Sequence, residues 1–241
     1  MMSPVREFSK AMNQGISLWM FPVLMNDMIV SFITFSLWCI MVCEAPFKNE
    51  GYLYLVGRAG KENWVLGEIL FLVLFSGVFT FGLVLSTFIF SLPRLDFTLN
   101  WGKVIGTLAY TDASTEFSIP FSFPISMMSN AAPLKTMLLS ILLVWWVAFL
   151  LSAFIFTINL VFKTKLGVAF SCFLVFFDLT IYNIMDLQIG RYSLTAMSRL
   201  SNLTGRAPDF SVRWALYFLM ILTIGLVFMS IICTKHRKGI E

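Results

Sequence analysis

The chain has 241 residues, of which 59% are hydrophobic and 12% are charged, and its formal net charge is +4. A typical soluble domain carries about 25% charged residues, so a soluble monomer of this length could not bury so much apolar surface. The basic residues are spread through the loops and form no groove with interleaved aromatic residues, which argues against nucleic acid binding. The composition therefore favours an integral membrane protein.

Five apolar windows are each long enough to cross a hydrocarbon core of about 30 Å as a helix. They cover residues 19–43, 67–92, 136–162, 166–185 and 213–234. The windows lack the period-two alternation of a membrane barrel, and hydrocarbon leaves a backbone amide no partner outside its own helix. We therefore expect an all-α polytopic bundle of about five spans, formed as one transmembrane domain over residues 1–241.

The first window is the weakest of the five, because Asn26 and Asp27 interrupt it directly after the apolar run "SLWMFPVLM". We expect residues 17–25 to be an interfacial stretch that leads into a helix. Trp19 and Phe21 suit the headgroup boundary of such a stretch.

The spacing of basic residues predicts the orientation. In one orientation the inner segments are residues 44–66, 163–165 and 235–241, which are short and rich in lysine and arginine. In the other orientation the cations are diluted over long loops, and short loops dominate the positive-inside rule. We therefore expect a cytoplasmic C-terminus, with residues 93–135 and 186–212 as outer loops.

The predicted spans contain three polar side chains of possible functional interest: Asp178, Asn159 and Asn183. A charge at the bilayer centre costs about 2.5 to 3.5 kcal/mol on insertion scales, so Asp178 must face protein or water. One interpretation is structural, with the carboxyl group protonated or bonded to a neighbour such as Asn159 or Thr180. The other is that these polar residues line a substrate path.

The sequence contains no recognisable catalytic or metal-binding motif. It has one histidine, no HExxH, and four cysteines without CxxC spacing, which are typical of apolar packing residues. The run "GRAGK" lacks the spacing of a phosphate-binding loop. We therefore expect no enzymatic activity and no cofactor bound by this chain.

The segments "EAPF", "YLYLVGRAGKENWVLGEIL", "WGKVIGT", "SNAAPLKTMLLSILLVW", "TINLVFKTKLGVAF" and "FSVRWALYFLMILTIGLVFMSII" occur in this order along the chain. Over most of residues 40–238 the chain resembles membrane subunits of ABC-2 type transporters from Gram-positive bacteria. Permeases of that family have about six spans, one more than expected here. The chain is a shortened variant, or its start has been lost, or residues 5–25 re-enter the membrane.

The resemblance implies a permease subunit of an ATP-driven exporter in the bacterial plasma membrane, with a peptide, drug or lipid-like substrate. Its implied partners are a cytoplasmic ABC ATPase, which binds the ATP and Mg, a second permease subunit, identical or different, and the lipid bilayer. The connection 44–66 corresponds to the cytoplasmic loop that contacts the ATPase. The residues implied in this coupling are Tyr52, Tyr54, Arg58, Lys61 and Trp64.

A second interpretation stays open. The chain is then a membrane immunity or sensor protein that sequesters a peptide or lipid at its outer loops without transport. Such a protein needs no ATPase, so a neighbouring gene for a soluble ATPase favours the first interpretation.

Overall fold

The computed structural model describes residues 3–47, 52–162, 164–184, 192–204 and 211–235. These residues are mostly helical, as predicted. The α-helices are α1 (Ser3–Ala11), α2 (Met20–Asn26), α3 (Met28–Met41), α4 (Tyr52–Ala59), α5 (Lys61–Ser91), α6 (Lys103–Tyr110), α7 (Ala113–Glu116), α8 (Ile125–Asn130), α9 (Pro133–Phe162), α10 (Leu166–Ile184), α11 (Leu200–Leu203) and α12 (Val212–Lys235). Two 3-10 turns, Leu92–Arg94 and Ala196–Ser198, and two short strands, β1 (Ile16–Ser17) and β2 (Leu95–Asp96), accompany them.

Three of the described helices, α5, α9 and α12, are long and apolar enough to cross a membrane. The pair α2 and α3 qualifies as a fourth span if the two helices are taken together, although they are bent by 86°. The apolar part of α10, Leu166–Ile181, is shorter. The fold is therefore that of a helical protein with three or four candidate spans, and the count of five stays a prediction.

The break between α2 and α3 lies at Asp27. Its backbone is extended (φ −71°, ψ 135°), which ends α2. One carboxylate oxygen of Asp27 accepts hydrogen bonds from the amides of Ile29 (3.0 Å) and Val30 (3.1 Å). These bonds satisfy amides that a helix start otherwise leaves unpaired. The polar residue that interrupts the first apolar window is thus the N-cap of α3.

Helix α2 is enclosed by protein. All seven of its residues are buried. Trp19, just before it, is 7% exposed, and Phe21 is fully buried. The indole N–H of Trp19 donates a hydrogen bond to the Thr98 carbonyl oxygen at 3.0 Å. The two aromatic residues expected at the headgroup boundary are therefore enclosed by protein.

Helix α9 is the centre of the bundle, and α2, α3, α5, α10 and α12 all pack against it. In lipid the hydrophobic effect does not drive helices together, so close packing and hydrogen bonds between helices stabilise the bundle. Three indole N–H groups bond across the helix contacts: Trp38 to the Ala148 carbonyl oxygen (2.7 Å), Trp145 to the Val73 carbonyl oxygen (3.1 Å), and Trp146 to the Thr223 hydroxyl (2.9 Å).

A cap of α1, the two strands, and α6 to α8 covers one end of the bundle. The strands pair in parallel, with Ile16 opposite Leu95 and Ser17 opposite Asp96. Arg6 Nε donates to the Phe90 carbonyl oxygen at 2.7 Å, which fixes α1 to the end of α5. Phe8 of α1 meets Phe117 edge to face, with 5.1 Å between ring centroids. Much of the predicted loop 93–135 is therefore folded onto the bundle.

The outward faces of α5 and α12 are apolar. The large exposed side chains, between 62% and 70% exposed, include Leu74, Val78, Phe81, Ile221, Ile224 and Phe228. Soluble monomers rarely expose contiguous apolar surfaces of this kind. Both faces therefore match a lipid environment.

Candidate functional site

Three parts of the chain meet at the end of the bundle opposite the cap: the α3–α5 connection, the α9–α10 turn and the end of α12. Lys165 Nζ lies 3.0 Å from Glu44 Oε1, and Lys235 Nζ lies 3.7 Å from Glu62 Oε1. The Glu44 carboxylate raises the pKa of the exposed Lys165 ammonium, chiefly through this hydrogen bond. The ion pairs show that these three parts of the chain are neighbours. We call this region the connection end.

Asn159 ties the connection end together from inside α9. Its amide nitrogen donates to the Ala45 carbonyl oxygen at 2.6 Å, and its side-chain oxygen accepts from the Gly167 amide at 2.8 Å. A Cβ at position 167 would stand 2.5 Å from the Ile155 carbonyl oxygen, so glycine is required there. Asn159, predicted as a partner of Asp178 or a path residue, joins the segment after α3 to the α9–α10 hairpin.

The short helix α4 presents an exposed surface at the connection end. Val56 is 5% exposed, whereas Tyr54 is 73% and Leu55 is 56% exposed. Arg58 is also exposed, and its spacing from the other two, i+4 and i+3, places all three on one helix face. We call Tyr54, Leu55 and Arg58 the α4 patch. The Tyr52 backbone begins α4, and its side chain lies outside what the structure describes.

Lys61 and Trp64 lie in the first turn of α5 and are half-buried. The Trp64 ring is 6.2 Å from the ring of Phe156 on α9. Between α4 and α5, Gly60 has a φ of +83°, a conformation that glycine adopts without the steric cost of a side chain. These two predicted coupling residues therefore lie beside the α4 patch, and Trp64 packs against α9.

A buried ion pair lies nearer the cap. Arg199 Nη2 donates to both carboxylate oxygens of Asp178, at 2.8 and 2.9 Å. The Ser193 hydroxyl donates to the same carboxylate at 3.0 Å. The side chains of Arg199 and Asp178 are only 4% and 6% exposed. The charge of Asp178 is thus compensated within the protein, as an ionised group away from water requires.

The partners of Asp178 differ from those expected from the sequence. Thr180, a suggested partner, donates its hydroxyl to the Phe177 carbonyl oxygen of its own helix at 2.8 Å. The actual cation, Arg199, lies within the segment 186–212, which the sequence predicts to be an outer loop. One feature of the sequence could have indicated this partner. An intramembrane carboxylate needs a cation, and Arg199 stands in the partly apolar run "AMSRLSNL". The side chain of Asn183 lies outside the described residues.

Within the described ranges, no group of three or more His, Cys, Asp or Glu side chains could hold a metal ion. Comparisons with protein-family models, with curated proteins and with solved structures give no match to this chain. Two places combine exposed or buried groups in an arrangement that packing alone does not require: the α4 patch at the connection end and the Asp178–Arg199 pair near the cap.

Proposed function

We propose that the chain is the permease subunit of an ATP-driven exporter of the ABC-2 type in a bacterial plasma membrane. In this proposal it pairs with a second permease subunit and moves its substrate with energy from a separate cytoplasmic ABC ATPase. ATP and Mg bind to that ATPase, and this chain hydrolyses nothing.

The observation that carries the proposal is the α4 patch. Tyr54 and Leu55 expose large apolar side chains on a helix outside the long apolar segments, and Arg58 shares their face. Aromatic residues and arginine are enriched at the centres of protein interfaces. A loop that only anchored the topology would need the cation and not the two exposed apolar side chains. The patch thus favours a protein partner over a simple anchor.

The position of α4 suits a coupling element. α4 contacts α5, and α5 contacts both α9 and α12. An open groove of about 440 Å³ is lined by residues 59–63, around the start of α5, and by Lys235 at the end of α12. Packed helices shift as units, so a push on α4 would move α5 against the centre of the bundle. This arrangement supports the transmission of nucleotide-driven motion from the ATPase.

The charge of the connection end supports a cytoplasmic location. Arg58, Lys61, Lys165 and Lys235 all lie at this end. Lysine and arginine close to membrane spans are concentrated on the cytoplasmic side. In the proposal, the C-terminus and the α4 patch therefore face the cytoplasmic ATPase.

The proposal is tested by purifying the tagged chain from solubilised native membranes and identifying accompanying soluble proteins by mass spectrometry. One variant reverses two charges, Arg58→Glu with Lys61→Glu, and a second truncates the apolar part of the patch, Tyr54→Ala with Leu55→Ser. The matched control, Lys103→Glu with Lys135→Glu, reverses two exposed cations near the cap.

We expect an ABC ATPase to accompany the unaltered chain and the control, and to be lost or strongly reduced with both patch variants. Equal recovery with all four proteins would place the ATPase contact elsewhere and remove the α4 patch from the proposal. If no ATPase accompanies the unaltered chain, the result would contradict the proposal that the chain is a transporter subunit.

A second candidate function is the sequestration of a peptide or lipid without transport. The cap favours it, since α1 and α6 to α8 form a folded surface on the bundle end and are not a bare set of connecting loops. In that case the purified chain would retain a peptide or lipid, and no ATPase would accompany it.

A further inference from the structure

Residues 192–204 enter the protein from the cap end although they form no long helix. We call them the inserted segment. Residues 193, 195–200 and 203 of this segment are all buried. Irregular backbone at membrane depth is tolerated only where protein or a water-filled cavity surrounds it.

The inserted segment occupies the middle of the cap end. Its turn, Ala196–Ser198, contacts α9, and α11 contacts α2, α8, α9 and α12. The Ser201 amide donates to Asn26 Oδ1 of α2 at 2.8 Å. On the remaining side, Arg199 reaches Asp178 of α10. Helices thus surround the segment in the manner of a plug.

The chemistry of the segment differs from that of an ordinary membrane core. Ser193, Thr195, Ser198 and Arg199 are all buried. A buried ion pair stabilises a fold no better than well-packed apolar side chains, and often less well. In addition, Arg199 Nε is buried without a hydrogen-bond partner, which is a further cost of the inserted position. Stability alone therefore does not explain this composition, whereas a segment that also leaves the bundle needs polar groups for water.

We propose that the inserted segment is a plug that closes the cap end of the bundle, and that the Asp178–Arg199 ion pair is the latch that holds it. Asp178 precedes the end of α10 by six residues, so the latch lies about 9 Å inside that helix end, at 1.5 Å per residue. Breaking the pair frees the segment to move outward and exposes the hydroxyl-bearing interior to water. The latch requires no ATPase and can be tested on the chain alone.

The experiment measures how fast a charged, membrane-impermeant methanethiosulfonate reagent labels a single cysteine in nanodiscs, where both ends of the protein are accessible. The background replaces the four native cysteines with alanine. The plug reporter is Ala196→Cys, at a position that is 3% exposed, and the core reporter is Ala148→Cys, at a fully buried position of α9. Each reporter is combined with Asp178→Asn and, separately, with Arg199→Gln.

The matched control is Glu44→Gln, which likewise removes one carboxylate from an ion pair, but at the connection end. We expect labelling of the plug reporter to accelerate by about tenfold or more in both latch variants, because a buried charge without its partner favours the open state. The control should leave the rate unchanged, and the core reporter should stay slow throughout.

Unchanged labelling of the plug reporter would overturn the latch. Equal acceleration at the core reporter would also overturn it, because the ion pair would then support the whole fold. If neither single variant elutes as a folded, monodisperse protein, the double variant Asp178→Asn with Arg199→Gln replaces them. It removes the latch without leaving a buried unpaired charge, and labelling of the plug reporter alone should still accelerate. Faster labelling of the plug reporter alone would again support the latch, and unchanged or equally accelerated labelling would overturn it.

Discussion

The Asp178 carboxylate and the Arg199 guanidinium are 21 residues apart in sequence and 2.8 Å apart in the folded chain. Each needs the other, because neither charge has access to water. The pair joins the long helix α10 to a segment that contains only one turn and one short helix. Together with the contacts of this segment to α2, α8, α9 and α12, the pair makes part of a predicted outer loop an element of the protein interior.

We expect Arg199→Met to lower the free energy of unfolding by about 3–5 kcal/mol, because it leaves the Asp178 carboxylate buried and unpaired. The double variant Asp178→Leu with Arg199→Met should recover most of that loss, since it removes both charges. Thermal unfolding of the purified protein, followed by tryptophan fluorescence, measures both effects. Lys165→Met is the control, because it breaks an exposed pair and should leave the unfolding temperature unchanged. A double variant no more stable than the single one would contradict the view that the unpaired carboxylate causes the loss.

Replacement of Asn159 should loosen the connection end. Asn159→Ala leaves the Ala45 carbonyl oxygen and the Gly167 amide without their partner, at a cost of about 1–3 kcal/mol. Limited trypsin digestion should then cleave faster after Arg58. The control is Asn63→Ala, which removes an exposed hydrogen bond to the Ala59 carbonyl oxygen. Similar digestion rates in the two variants would argue that Asn159 does not hold this end together.

The N-cap residue of α3, Asp27, provides a third prediction. Asp27→Ala removes the acceptor of two backbone amides and should lower the unfolding free energy by about 0.5–2 kcal/mol, whereas Asp27→Asn should retain most of the stability. Asp112→Ala is a matched control, because Asp112 stands at the N-cap of α7 without a side-chain capping bond. Chemical denaturation in mild detergent distinguishes the variants. Equal losses for the alanine and asparagine variants would mean that the charge of Asp27 matters more than its capping bonds.

Hydropathy located the long helices well. α5, α9 and α12 overlap the predicted windows 67–92, 136–162 and 213–234, because a run of about 20 mostly apolar residues has no stable alternative to a helix in lipid. The first window was harder, since average hydropathy cannot distinguish a straight span from two helices at 86°. The interruption at Asn26 and Asp27 marked the position of the break but not the burial of α2.

The candidate sites were likewise predictable only where the pattern lies within one segment of the sequence. The exposed face of α4 follows from helix periodicity, which places Tyr54 and Arg58 together. The partner of Asp178 did not follow from any local pattern, because Arg199 lies 21 residues away and outside α10.

By itself the sequence determined that the chain is mostly helical, that its long apolar helices suit a membrane, and where polar residues interrupt them. These properties depend on hydrogen bonding and transfer energies that act within one segment. Only the tertiary structure decided that α2 is enclosed, that Asn159 joins three elements, and that Arg199 neutralises Asp178. Those relationships depend on which segments approach one another, and packing between residues distant in sequence selects them.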